Sequence, residues 1–184
     1  MHQDYAEKLQ VRTQAIFDRA PDFTFPDWPP EESEASYNKR LATGLGGTFL
    51  DAKLIATTFH RRGIEACDVL TTSGLLVHVK NTKTSAPASH LLAQALVSTE
   101  ALLYDEEARA QLRELVAAEG GDPASVPEKI HTVVLGLAHP TRQLKADNLF
   151  TFTQVTLARQ VAVLEAQGVS VLIGVIRRTA PSRP

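Results

Sequence analysis

Apolar and polar positions change their spacing from block to block along the chain, and each block predicts an element. In residues 4–19, DYAEKLQVRTQAIFDR, the residues Leu9, Ile16 and Phe17 fall roughly on one side of a helical period, which predicts an amphipathic helix. Pro21 to Pro30 is rich in proline and aromatic residues and predicts an extended loop pinned to the domain by its rings. Ser33 is an N-cap candidate for a helix over 34–43, which Gly44, Gly46 and Gly47 end. TFLDAKLIATTF (48–59) alternates well enough for a strand. EACDVLTT (65–72) and LLVHVKNT (75–82) follow as two more, joined by a tight turn at Thr72-Ser73-Gly74. ASHLLAQALVSTEALLYD (88–105) predicts a helix that starts near Pro87 or Ser89. EEARAQLRELVAAEG (106–120) predicts another, stopped by Gly120-Gly121. HTVVLGLAH (131–139) and SVLIGVIRR (170–178) are continuous apolar runs of the kind buried on both faces, and helix 151–167 lies between them.

Three consecutive strands followed by helices that alternate with apolar strands predict an α/β fold. Its mixed central sheet is an antiparallel meander continued by crossover strands, flanked by helices. Residues 1–33 read as an N-terminal helix and linker, and 34–184 as one domain.

Composition narrows the function classes. The 184 residues are 43% hydrophobic and 22% charged, as in ordinary globular chains. With 19 Lys+Arg against 21 Asp+Glu the net charge is −2, which excludes a generally basic protein but not a local basic groove. Cys67 is the one cysteine, so an internal disulfide and a cysteine zinc cluster are excluded. With no long apolar run and no apolar signal segment, the expectation is a cytoplasmic protein with no membrane partner. HExxH, GxGxxG, P-loop and GxSxG patterns are all missing from the sequence.

The informative stretch is Glu65-Ala-Cys-Asp68 followed by His78-Val-Lys80. A hairpin turning near 72–73 sets Asp68 opposite 77–78, and His78 and Lys80 share a strand face. A carboxylate beside a lysine suits metal-assisted phosphodiester cleavage. The carboxylate holds a hard cation and the lysine orients water or stabilises negative charge. Solvated strand edges carry the same residue types. Asp51 is either a second metal carboxylate or a solvent-facing residue of its strand. Glu65 has the opposite parity to Asp68, so a bulge is needed for both to face one site. Glu34 either reaches over the sheet to the metal or is a solvated first-turn acid. Gln94 is either a surface amide or a donor aimed at the site. Ser89 and His90 are placed at a helix start, where free N–H groups suit phosphate. Lys83, Arg61, Arg62 and Arg142 are candidate phosphate contacts or scattered surface cations. Phe23, Phe25 and Trp28 could stack on bases, though pinning the loop is the plainer use.

Tyr37-Asn38, Phe49-Leu-Asp51, Ile64-Glu-Ala-Cys-Asp68-Val-Leu, Val77-His-Val-Lys80, Ser89-His-Leu-Leu-Ala-Gln94 and Ser98-Thr-Glu-Ala-Leu102 occur in that order. Over about 34–104 this resembles the C-terminal part of a sporadically distributed bacterial family, often linked to mobile elements and defence neighbourhoods. The same stretch resembles the PD-(D/E)XK nuclease superfamily, whose restriction-endonuclease-like core has the order αβββαβ. That resemblance implies a DNA-cleaving enzyme using Mg²⁺ or Mn²⁺, in phage or mobile-element defence. It places Glu34, Asp68, Lys80 and Gln94 in the family's site positions. His78 stands where the family has an acid, two residues before the lysine. Three readings stay open: histidine serves as a ligand, which suits Mn²⁺ better than Mg²⁺; Asp51 or Glu65 supplies the missing carboxylate; or the site is degenerate. The alternative to an enzyme is a nuclease-fold module that binds nucleic acid or a protein partner without cleaving. A homodimer or larger defence assembly is compatible with either.

Overall fold

The structure, a computed structural model, describes residues 2–179. Helix α1, His2–Phe17, buries Leu9 and Ile16 as its pattern predicts and packs against the last helix and last strand. The loop that follows is fixed at both ends. Ile173 N–H donates to Arg19 O at 2.8 Å, and Trp28 N–H donates to Arg177 O at 2.8 Å. Trp28 is 1% exposed and stacks on Tyr37 with ring centroids 4.4 Å apart. Phe25 and Trp28 of this loop are therefore core residues, with Phe23 partly buried against them, and base stacking by Trp28 and Phe25 is excluded by their burial. Helix α2, Glu34–Gly44, starts at the predicted cap, where Ser33 Oγ accepts from Ser36 N at 3.2 Å.

Two predicted strands prove to be interrupted. Residues 48–59 form β1, Thr48–Phe49, and β2, Leu54–Ile55, which belong to different sheets. A tight turn separates them: Lys53 N–H donates to Leu50 O at 3.0 Å and Ala52 takes φ of 59°. Asp51 therefore sits on a turn, not on a strand. Residues 65–72 likewise divide into β3, Ile64–Glu65, and β4, Val69–Leu70. β2 and β3 make an antiparallel ribbon, with Leu54 opposite Glu65.

The main sheet has the order β1-β4-β5-β6-β7, where β5 is Leu76–Asn81, β6 Thr132–Ala138 and β7 Ser170–Ile176. The first three strands pair antiparallel and the last three parallel. This is the predicted mixed sheet flanked by helices. Helix α3, Ser85–Tyr104, starts a turn earlier than its apolar pattern suggests. Helix α4, Glu106–Ala118, is capped by Asp105, and α5, Thr151–Ala166, precedes β7. Strand parity divides the core between the two sheet faces. Leu76, Val133, Leu135, Val171 and Ile173 pack with residues of α1, α3 and α5. Val77, Val79, Val134 and Ile176 pack with Phe25, Trp28, Tyr37 and Leu41 of the loop and α2. Among the described residues no helix is long and apolar enough to cross a membrane.

Candidate active site

The interruptions in the meander bring the acids together. β3 ends at Glu65 and β4 starts at Val69, so the chain between them is free of strand parity. Glu65 and Asp68 can thus face one point without a bulge in a regular strand. The turn at Asp51 adds a third acid. One carboxylate oxygen each of Asp51, Glu65 and Asp68 lies within 4.8 Å of the others. Each acid is held by a neighbour. Val79 N–H donates to Asp68 Oδ2, Ala52 N–H to Glu65 Oε1 and Gln94 Nε2 to Glu65 Oε2. Asn38 Nδ2 donates to Asp51 Oδ2 at 3.3 Å.

Lys80, at the open end of β5, forms an ion pair with Glu34 of α2, and Asn81 N–H donates to the other Glu34 oxygen at 3.3 Å. Glu34 is therefore turned to the sheet and not to solvent. Burial pushes the Asp68 carboxyl well above the usual carboxylate range, and the charges of Glu65, Asp51 and Glu34 add to the rise against the Val79 hydrogen bond. Glu65 is raised for the same first reason, with Asp51 adding and the Ala52, Gln94 and Lys80 contacts opposing. Burial pulls the Lys80 ammonium down, but Glu34, Asp68 and Asp51 outweigh it, so the net shift is upward.

His78 does not join this group. Its side chain is fully buried, on the Leu76 side of β5 that faces α3, and among the described residues neither ring nitrogen has a hydrogen-bond partner. Burial alone lowers its pKa to about 4. The expectation of a metal- or phosphate-binding histidine is corrected: position 78 lies two residues inside the sheet, where only Lys80 reaches the open edge. Ser89 and His90 also need correction. The helix starts at Ser85, so both lie in its second turn and their N–H groups are not at a free helix end. Ser89 Oγ donates to Ser85 O at 2.9 Å, whereas exposed His90 lines a cleft of about 310 Å³ with Glu65 and Gln94. Lys83 is exposed beyond β5.

Asn38 was not predicted as a site residue. It lies one helical turn after Glu34 on α2, and that spacing is the signal that could have found it. It is fully buried, and its Oδ1 has no partner.

The donor set fits a hard divalent cation. Among the described residues three carboxylates converge beside the cationic Lys80, all donors are oxygens, and Asn38 leaves a buried carbonyl oxygen unsatisfied beside Asp51.

The sequence profile of a family of unknown function, DUF6119, matches residues 1–177. The chain belongs to that family. Membership spans α1 and the aromatic loop as well as the sheet that carries the acids. No curated protein and no solved structure matches the chain.

Proposed function

We propose that this chain is a metal-dependent nuclease-like domain that cleaves DNA phosphodiester bonds. The carrying observation is the convergence of Asp51, Glu65 and Asp68 beside Lys80 at one end of the sheet. The element order around it supports the reading. α2, the strands β1, β4 and β5, then α3 and β6 follow the αβββαβ order of restriction-endonuclease-like cores, with the β2–β3 ribbon as an insertion. Glu65 takes the part of the carboxylate that position 78 lacks.

Asp51, Glu65 and Asp68 would hold Mg²⁺ or Mn²⁺. When bound, such an ion supplies polarisation of the phosphate and acidification of a water. The chain's own residues supply the rest. Glu34 fixes the Lys80 ammonium at the rim of the acids. Because its pKa is raised, Lys80 stays protonated near neutral pH, so it orients water and stabilises developing negative charge and does not act as a base. Gln94 and the Ala52 N–H set the two oxygens of Glu65, and Asn38 sets Asp51.

The test is cleavage of plasmid and single-stranded DNA with Mg²⁺, Mn²⁺ or EDTA. Wild type should cut with metal and not in EDTA, and Asp68→Ala and Lys80→Ala should each lose about 10²-fold or more. Full cutting by Lys80→Ala would disprove the assignment. Strand binding by a folded wild type that never cuts would favour a module that keeps the fold without catalysis.

A further inference from the structure

The ends of the parallel strands carry a second constellation, outside the acidic cluster. Beyond β6 and β7 lies a cavity of about 730 Å³ whose walls include Arg142, Arg177, Arg178, Thr141, Gln143 and Thr179. Among the described residues no acidic side chain lines it. In a chain of net charge −2 this is a local reversal of sign. Asp27 pairs with Arg177, but Arg142 and Arg178 form no ion pair among the described residues.

Both of these guanidinium groups are held by aromatic rings. Arg178 lies 4.7 Å from the Trp28 ring centroid and donates through Nη2 to Pro30 O at 3.2 Å, while its buried Nε has no partner. Arg142 lies 5.5 Å from the Phe150 ring centroid. Ring stacking holds a guanidinium without neutralising it, so exposed Arg142 keeps its donor fork open, and Arg178, with Nε buried and Nη2 on Pro30, keeps Nη1 for an anion. Planar forks of this kind match phosphate oxygens in pairs.

The cavity shares one sheet edge with the acids. Asn81, next to Lys80, pairs with Ala138, and Ala138 pairs with Ile176, immediately before Arg177 and Arg178. Two strand spacings put the arginine side roughly 10 Å from the end of β5. That is roughly three base steps of rise along a DNA helix axis.

We propose that this cavity binds backbone phosphates of the nucleic-acid strand flanking the cleavage point, with Arg142 and Arg178 as the contacts. The identity of the anion rests on the nuclease reading, whereas the anion site rests on the cavity itself. Binding of a fluorescein-labelled DNA, duplex and single-stranded, is measured with the full chain in EDTA, so that no cleavage is needed. Across about 50 to 200 mM salt, the Arg142→Gln/Arg178→Gln variant should bind at least tenfold more weakly at the low-salt end. Its log–log salt slope should be shallower by about 2. Arg12→Gln, exposed on α1, should bind as wild type does. If Arg178→Gln fails to fold, Arg142→Gln alone should lose about one unit of slope, and Arg178→Lys should retain most of the affinity. Unchanged affinity and slope in a folded double variant, or a wild type that binds neither DNA, overturns the proposal. Arginine-dependent binding without cleavage in any metal would sink the catalytic reading and leave this site standing.

Discussion

His78 is a buried imidazole with no partner on either nitrogen, a costly residue for the core of the sheet. Its pKa falls from the ordinary 6.5 to about 4, so the folded state binds the proton less readily than the unfolded chain. Stability contributed by the neutral ring is complete above pH 6.5 and is lost as pH falls towards about 4. The size of that loss is about 3 kcal/mol. His78→Leu should be neutral or stabilising at pH 7 and should unfold with a flatter pH dependence below 6.5. Urea unfolding at a series of pH values reads this directly, and parallel curves for the two proteins would refute the buried neutral ring. The residue pattern displayed Asp68 and Lys80 as candidates because a hairpin sets a carboxylate beside a lysine, and it left Gln94 open between a surface amide and a donor aimed at the site. It could not separate Lys80 from His78, since strand parity puts both on one face and only depth distinguishes them. It also could not see that Glu65 escapes parity, because that depends on where β3 stops.

Elements with long uninterrupted patterns were legible, and short ones were not. The apolar runs of β6 and β7 read correctly because both faces are buried, which removes any alternation that a turn could imitate. In 48–59 the alternation of apolar and polar residues continued through the turn at Asp51-Ala52, and alanine in a positive φ gives no warning. The mixed sheet was therefore foreseen, while the two-stranded ribbon was not. The proline-aromatic loop was expected to pin itself down, and the sheet shows how. Gly136 and Gly174 are paired across β6 and β7, and the Phe25 ring fills the trough they leave. A Cβ at Gly136 would meet Phe25 Cε1 at 2.8 Å, and one at Gly174 would overlap the same ring. Gly174→Ala should therefore destabilise by about 1–3 kcal/mol. The cost should shrink by at least about 1 kcal/mol in a Phe25→Leu background. Equal costs in both backgrounds, from urea midpoints with unchanged slope, would show that Phe25 does not lock the loop onto the sheet.

Glu34, Asp51, Glu65 and Asp68 around a single lysine set an electrostatic load on the fold that depends on both protons and cations. The raised pKa values of Asp68 and Glu65 mean that the folded state holds protons more tightly than the unfolded chain. Stability from this group is thus present at low pH and falls as pH rises from the ordinary carboxylate range through the raised values. A divalent cation reverses that trend, because it competes with the same protons and binds the ionised acids best. Thermal melts should accordingly show a gain from Mg²⁺ or Mn²⁺ that grows with pH. At about a hundred times the dissociation constant it should reach roughly 5–10 °C for a chain of this size. Asp68→Asn keeps an oxygen that can accept from Val79 N–H while removing the buried charge. In EDTA at neutral pH it should melt above wild type, and added metal should move it little. These two effects separate a binding site from a merely acidic surface. A surface cluster would give equal, salt-like responses in both proteins. A site that depends on Asp68 gives a metal response in wild type only, and its disappearance tracks the stabilisation seen without metal.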